Sequence, residues 1–412
     1  MSAASPAAKV ASVSESAPAI NPRLIDIEPG PWRQSLLHLA SQLAVSAVAR
    51  DRQGGSAQAE KQLIRNSGLL GLSIPKAQGG AEAGWPTIYR FTRYLAAVDS
   101  SLAHLFAFHH LQVATIQLFG DEWQRRFWLT RTLEENWFWG NATNGRDTGL
   151  RLLRLEEHYQ LVGSKSFCSG ALGADALVVS VPRNSSRPED RVFVVVPAQR
   201  DGLLVNNDWD GFGQRQTDSG TVNFEGVFVD ARDLLEQGVG TLRGTLRTCV
   251  SQLVLVQIYL GNALGALNAA LRYIQEQGRG WPGAATNPLD DGFIQLRIGE
   301  LWSRLQAASG VADQAGIALQ HAWDSPEPSV GERGELATRI AEAKLLSARV
   351  ALDITSQIFE TMGARATSSR YGFDRFWRNV RVHTLHDPLD HKQRDIGRWL
   401  LTGEHPQPSV YS

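Results

Sequence analysis

Residues 250–271 carry no charged side chain. A segment this apolar has to sit either in lipid or in the middle of a protein core. Gln252, Gln257, Asn262 and Asn268 interrupt it, and side-chain amides are costly inside a bilayer. The segment therefore reads as the central helix of a buried bundle. Three long amphipathic stretches, 245–277, 293–321 and 331–362, supply partners for such a bundle. Residues 280–288 and 325–328 read as the connections between them.

Ahead of the bundle the hydrophobic period changes twice. From Trp32 to about residue 135 apolar residues recur at three- and four-residue spacing, with a break at Pro75 and Gly79-Gly80. Helix resumes over 87–119. Between residues 138 and 230 the runs shorten and become β-branched, as in 159–162, 176–181, 191–196, 221–224 and 227–229. These patterns predict an α+β, mainly α chain. Residues 1–30 read as a disordered arm, 31–136 as a helical domain, 137–240 as a β domain, 241–401 as a helical bundle and 402–412 as a tail.

Charge and cysteine content narrow the function. A formal net charge of −1 gives no field for nucleic acid or an anionic membrane. Two cysteines, Cys168 and Cys249, make no disulfide framework and suit a reducing compartment. The first residues lack a basic start followed by an apolar core, so no signal peptide is expected and the expected location is cytoplasmic.

Chemistry concentrates in five segments. Phe373 to Pro388 packs arginines and aromatics around His383 and His386 and ends on Asp387-Pro388, which reads as the N-cap and first residue of a last helix. Two imidazoles beside fixed cations suit proton transfer near neutral pH and an anionic ligand. His383-x-x-His386 with Asp387 could chelate a metal, but the adjacent arginines disfavour a cation, and no metal is expected. On a predicted helix, His104 and Phe108 share a face. A lone histidine there is ordinarily structural, and His109 and His110 nearby weaken that reading. Asn141 to Asn144 at the entry to the β domain could meet the polar edge of a heterocycle or simply cap its own loop. Ser169 in Phe167-Cys168-Ser169-Gly170 has no nucleophile-elbow glycines around it, and Cys168 reads as core. The run Trp209 to Gly220, with Arg215 and Ser219, could line a pocket.

In this order and spacing the segments resemble the acyl-CoA dehydrogenase fold, over nearly the whole chain after the arm. The resemblance is closer still to its flavin-dependent monooxygenase branch, which includes enzymes acting on dibenzothiophene, sulfones and alkanesulfinates. It implies an N-terminal helical domain, a β-barrel-like central domain and a C-terminal four-helix bundle, assembled as a homotetramer. It also implies a two-component enzyme that takes reduced FMN from a separate reductase, forms a flavin hydroperoxide and oxygenates a small organosulfur substrate. Asn141 and Ser169 would contact the flavin ring and Trp209 would line its site, Arg279 would reach the cofactor of a neighbouring subunit, and Arg365 would belong to another cofactor-binding turn. His386, His383 and His104 would be catalytic, with Phe108 and Ser219 in the substrate pocket. FAD with acyl thioester oxidation is the alternative, and a non-catalytic flavin-binding relative is a third. The dehydrogenases' catalytic glutamate has no counterpart here; Asp387 stands at that place.

Overall fold

The computed structural model describes residues 19–183, 191–283, 285–409 and 411–412. Most of the expected disordered arm, residues 1–18, lies outside them. Its remainder is packed: Ile20 and Ile27 are buried, and the Asn21 backbone N–H donates to Asn268 Oδ1 at 3.0 Å.

Five helices come first: α1 (Arg33–Gln53), α2 (Gln58–Asn66), α3 (Trp85–Val98), α4 (Ser100–Phe119) and α5 (Glu122–Glu134). The sequence reading placed helical structure over the span 87–119 without marking where it divides. Asp99 divides it, because its carboxylate accepts from the Leu102 N–H at 3.1 Å and starts a new helix. Asp121 and Gln124 form a reciprocal cap that starts α5.

Eight strands follow: β1 (Trp139–Ala142), β2 (Arg151–Leu155), β3 (His158–Lys165), β4 (Ala176–Pro182), β5 (Arg191–Pro197), β6 (Leu203–Val205), β7 (Val222–Val229) and β8 (Leu234–Leu235). They make two four-stranded sheets, ordered β1-β4-β5-β8 and β2-β3-β7-β6. β1 runs parallel to β4, with Asn141 opposite Val178, and every other pairing is antiparallel. Valines of β4, β5 and β7 fill the shared interior of this domain.

The bundle consists of α6 (Leu246–Gln277), α7 (Gly292–Asp324), α8 (Val330–Met362), α9 (Asp374–Thr384) and α10 (Leu389–Thr402). α6 is long and apolar enough to cross a membrane, yet 94% of its most apolar window is buried inside the protein. All four of its amides find partners. Gln252 accepts from Lys344, Gln257 from Arg93 and Asn268 from Asn21, while Asn262 donates to Ser100. Buried amides need such bonds, so their positions register α6 against its neighbours.

Candidate active site

α4 has no polar stripe, so it runs through the interior between the β domain and the bundle. It carries His104 inward, and α9 brings His383 from the bundle side. His104 Nδ1 and His383 Nε2 are 2.9 Å apart, with rings 4.9 Å apart and tilted by 23°. Phe108, one turn along α4, stacks on His104 with centroids 3.9 Å apart, as the shared helix face predicted. The Tyr259 hydroxyl of α6 donates to the His383 carbonyl at 3.0 Å and pins the end of α9.

Burial, with His386 nearby, pushes the His104 imidazole down to about 3. Burial also holds His383 well below its usual value, helped by His104 and His386. Both rings are therefore neutral at neutral pH. One hydrogen bond between two neutral imidazoles leaves one N–H and one lone pair at the outer ends. Those ends, His104 Nε2 and His383 Nδ1, are buried and have no partner among the described residues. Buried polar atoms of this kind call for a ligand or water.

His386 follows at the exposed rim. Its Nδ1 lies 3.0 Å from Asp387 Oδ1, the oxygen that also accepts from the buried Lys344 ammonium. Lys344 donates in addition to Gln252 Oε1 at 2.6 Å. Burial opposes ionisation of Asp387, but the bonds from His386 and Lys344 outweigh it and hold the carboxyl well below the usual range. Burial brings Lys344 down to about 8 in spite of its partner. The expected helix cap is corrected here. Pro388 is the N-cap of α10, and no side chain caps it. The buried ammonium needs a counter-charge more than a solvated helix end does, so Asp387 turns inward.

The β domain supplies the other wall. Asn141, on β1, accepts at Oδ1 from Gln112 Nε2 (3.1 Å) and from the Thr143 hydroxyl (2.7 Å). No described residue accepts from its Nδ2, which leaves two amide hydrogens free. After β3 the chain turns at Phe167 in a left-handed conformation (φ 54°) and buries Ser169. A side chain at Gly170 would stand 3.1 Å from Leu105, which places this turn against α4. Cys168 is buried, and burial pushes its thiol up to about 12, in keeping with the core role read from the sequence. Ser169 Oγ lies 2.8 Å from Ser219 Oγ on the loop before β7.

That loop is fastened to α9. The Gln214 N–H donates to Asn379 Oδ1 at 2.7 Å, and a Cβ at Gly213 would lie 2.2 Å from the Arg378 carbonyl. Gln214 and Asp218 are left-handed, with φ of 52° and 47°. Strained non-glycine residues at Phe167, Gln214 and Asp218 thus gather around the two serines, a common mark of functional loops. Trp209 donates from Nε1 to the Gln214 carbonyl at 2.8 Å and packs edge-on against Phe167. Arg247, near the start of α6, donates to Thr115 (2.7 Å) and Thr143 (3.1 Å) and lies over the Phe193 ring. It has no carboxylate partner among the described residues, and burial brings it down to about 10.

The structure joins His104, Phe108 and His383 at the α4–α9 contact and separately joins Ser169 to Ser219 and to the Asn141 N–H, with His386 at the rim and Trp209 on the adjoining loop. It does not bring Arg279 or Arg365 to them within one chain. Both are exposed at the far end of α6, where Arg365 donates to the Gln277 carbonyl at 2.7 Å. Tyr259 and Gln277 are about 27 Å apart along the helix at its usual rise. Sequence reasoning missed Lys344, Tyr259 and Gln112, and gave no separate role to Phe167 or Thr217 within the motifs it quoted. A lone lysine in the alanine-rich α8 was the only readable signal among them.

The free groups suit the flavin implied by the sequence resemblance. Asn141 offers donors for a ring carbonyl, Ser169 offers an oxygen, and the histidine pair offers one donor and one acceptor. Two family models match, "Acyl-CoA dehydrogenase, N-terminal domain" over residues 38–136 and "Acyl-CoA dehydrogenase, C-terminal domain" over residues 253–391. The chain is 39% identical to a probable FMNH2-dependent monooxygenase, SfnC, of Pseudomonas putida, over 94% of this chain and 99% of that protein. Its fold matches the methanesulfinate monooxygenase MsuC of Pseudomonas fluorescens with a TM-score of 0.90 and 40% identity, over 93% of this chain and 100% of that one. It also matches the dibenzothiophene monooxygenase TdsC of Paenibacillus sp. A11-2, solved with FMN and indole, with a TM-score of 0.87 and 37% identity, over 92% and 99% of the two chains.

Proposed function

The chain belongs to the acyl-CoA dehydrogenase family, and from that premise we propose a two-component flavin-dependent monooxygenase that oxygenates a small organosulfur compound. Reduced FMN arrives from a separate reductase. A sulfinate is the preferred substrate class, ahead of a sulfone or sulfide. The observation that carries the reading is the neutral, buried His104–His383 pair with an unpartnered nitrogen at each end.

The reduced flavin supplies two electrons to molecular oxygen, so that one oxygen atom reaches sulfur and the other leaves as water. The protein's own part is positioning and proton control. Asn141 and Ser169 would hold the ring. His104 and His383 can exchange tautomers, which moves a proton from one end of the pair to the other without creating a buried charge. Asp387 accepts from His386 Nδ1 and so orients the ring at the rim of the site. Arg247 would offer its unpaired charge to an anionic sulfinate. Arg279 and Arg365 would grip the flavin phosphate of a neighbouring subunit in a homotetramer.

An acyl-CoA dehydrogenase needs a free carboxylate base at the place of Asp387. Here Asp387 Oδ1 accepts from Lys344 and His386, and those bonds hold the carboxyl well below its usual range, which makes it a weak base. The test is to supply chemically reduced FMN and oxygen with a panel of alkanesulfinates, sulfones, sulfides and aromatic sulfur compounds. Oxygenated product should form from at least one, and His104→Phe and His386→Ala should each lower turnover by roughly 10²–10⁴-fold. Flavin oxidation without oxygenated product across the panel, joined to reduction of bound FAD by an acyl-CoA, would sink the reading.

A further inference from the structure

Ser169 is the first of three buried hydroxyls in a row. Ser169 Oγ lies 2.8 Å from Ser219 Oγ, Ser219 Oγ lies 2.7 Å from Thr217 Oγ1, and Thr217 Oγ1 lies 3.0 Å from the Gln214 carbonyl oxygen. Each hydroxyl owns one hydrogen, and the last member of the row owns none. The carbonyl can only accept, so Thr217 donates to it. Thr217 must then accept from Ser219, and Ser219 must accept from Ser169. The Gln214 carbonyl also accepts from Trp209 Nε1 at 2.8 Å, yet the opposite direction would still press two lone-pair-bearing oxygens, Thr217 Oγ1 and the carbonyl oxygen, together at 3.0 Å in a buried place. All three residues are less than a tenth exposed, so water does not offer them another arrangement.

The row is held rigidly. The Gly170 N–H donates to the Thr217 carbonyl at 2.8 Å, and the Cys168 N–H donates to the Gly220 carbonyl at 3.0 Å. Asp218, between the two relay residues of its loop, is clamped by the buried Lys61 ammonium. The result is a serine whose only hydrogen points away from the site. Toward a ligand, Ser169 has lone pairs alone.

Reduction changes one edge of a flavin in just this respect. Ring nitrogen N5 is an acceptor in the oxidised state and carries a hydrogen in the reduced state, whereas the ring carbonyls remain acceptors in both. We propose that the Thr217–Ser219–Ser169 relay makes Ser169 an obligate acceptor and thereby selects reduced FMN over oxidised FMN. Thr217 and Ser219 are positioning residues in this scheme, acting on the cofactor through Ser169. Asn141, with its free amide donors, holds the ring in either state. An enzyme that receives its flavin from another protein gains from such a filter, because the oxidised product is the competing ligand. The inference rests on the reading that this site takes FMN with Ser169 against the ring.

The experiment measures dissociation constants for oxidised FMN and, without oxygen, for chemically reduced FMN. Wild type should bind the reduced form more tightly. In Ser219→Ala, Ser169 is free to turn its hydrogen toward the ring. The ratio of oxidised to reduced dissociation constants should then fall by roughly tenfold, chiefly through tighter binding of oxidised FMN. The midpoint potential of bound FMN should fall with it by about 30 mV, the equivalent of a tenfold change for two electrons. Thr217→Val should behave alike, and Thr217→Ser, which keeps the row intact, should retain the wild-type ratio. An unchanged ratio in a folded Ser219→Ala or Thr217→Val protein would overturn the inference, as would equal binding of both forms by wild type. Failure to bind FMN in either state would instead overturn the reading beneath it.

Discussion

Two buried lysine–aspartate pairs hold the two walls of the site, and they differ in what the aspartate does next. On the β-domain side Lys61 pairs with Asp218, whose second partner is the neutral Ser56 hydroxyl. Burial dominates there and raises the Asp218 carboxyl in spite of Lys61. On the bundle side Lys344 pairs with Asp387, whose second partner is His386. There the donors prevail over burial, and the carboxyl is lowered. One pair is a clamp on a loop; the other holds the His386 ring at the rim of the site. Similar ion pairs thus do different work according to the second group on the carboxylate.

Removing either lysine alone should have the largest effect. Lys61→Met and Lys344→Met should each lower unfolding free energy by about 3–5 kcal/mol in denaturant titrations, since each strands a buried carboxylate. The double variants then separate the two walls. Lys61→Met/Asp218→Leu should regain most of the stability together with wild-type pH dependence of turnover. Lys344→Met/Asp387→Leu should regain stability while the pH profile shifts, because Lys344, brought down to about 8 by burial, and its carboxylate are gone from beside the site. Identical profiles would remove the distinction.

Arg247→Met should raise KM for an alkanesulfinate by roughly tenfold or more, the worth of a charge-assisted hydrogen bond. It should affect a neutral sulfone less; equal effects on both would detach Arg247 from the substrate's charge. Acid titration comes next. The folded-state values of His104 and His383 are depressed, so their contribution to stability is full above about pH 6.5, the ordinary histidine value. It is lost as pH falls, for His104 toward about 3. Each excluded proton should steepen the fall by about 1.4 kcal/mol per pH unit, and His104→Phe should remove one such increment. The Lys61–Asp218 pair includes no histidine, so its double variant should leave this slope unchanged. Smallest of all, Trp209→Phe deletes one bond to the Gln214 carbonyl and should cost about 1 kcal/mol in thermal unfolding.

Much of the fold was readable. Uncharged residues 250–271 with four interspersed amides called for a buried helix, and α6 is one. The predicted bundle helices agree with α6, α7 and α8 to within a few residues, because long periodic segments carry their own signal. The division of 87–119 at Asp99 was left unmarked because a single capping carboxylate hardly changes the hydrophobic period. At the site, His104 over Phe108 followed from helical spacing. The inward turn of Asp387 did not, since a local Asp-Pro signal for a helix start was overruled by Lys344 from another helix.

By itself, then, the sequence determined the helical–β–helical order and the residue types available to the site. These depend on local periodicity, turn chemistry and composition, which act over a few neighbouring residues. Only the tertiary structure decided that His104 meets His383 across 279 positions of chain and that Ser169 lies against Ser219. It also decided that Asp387 serves Lys344 and His386 rather than α10. Burial removes water as an alternative partner, so each buried polar group must take whatever the packed neighbours offer. No local pattern records which neighbours those are.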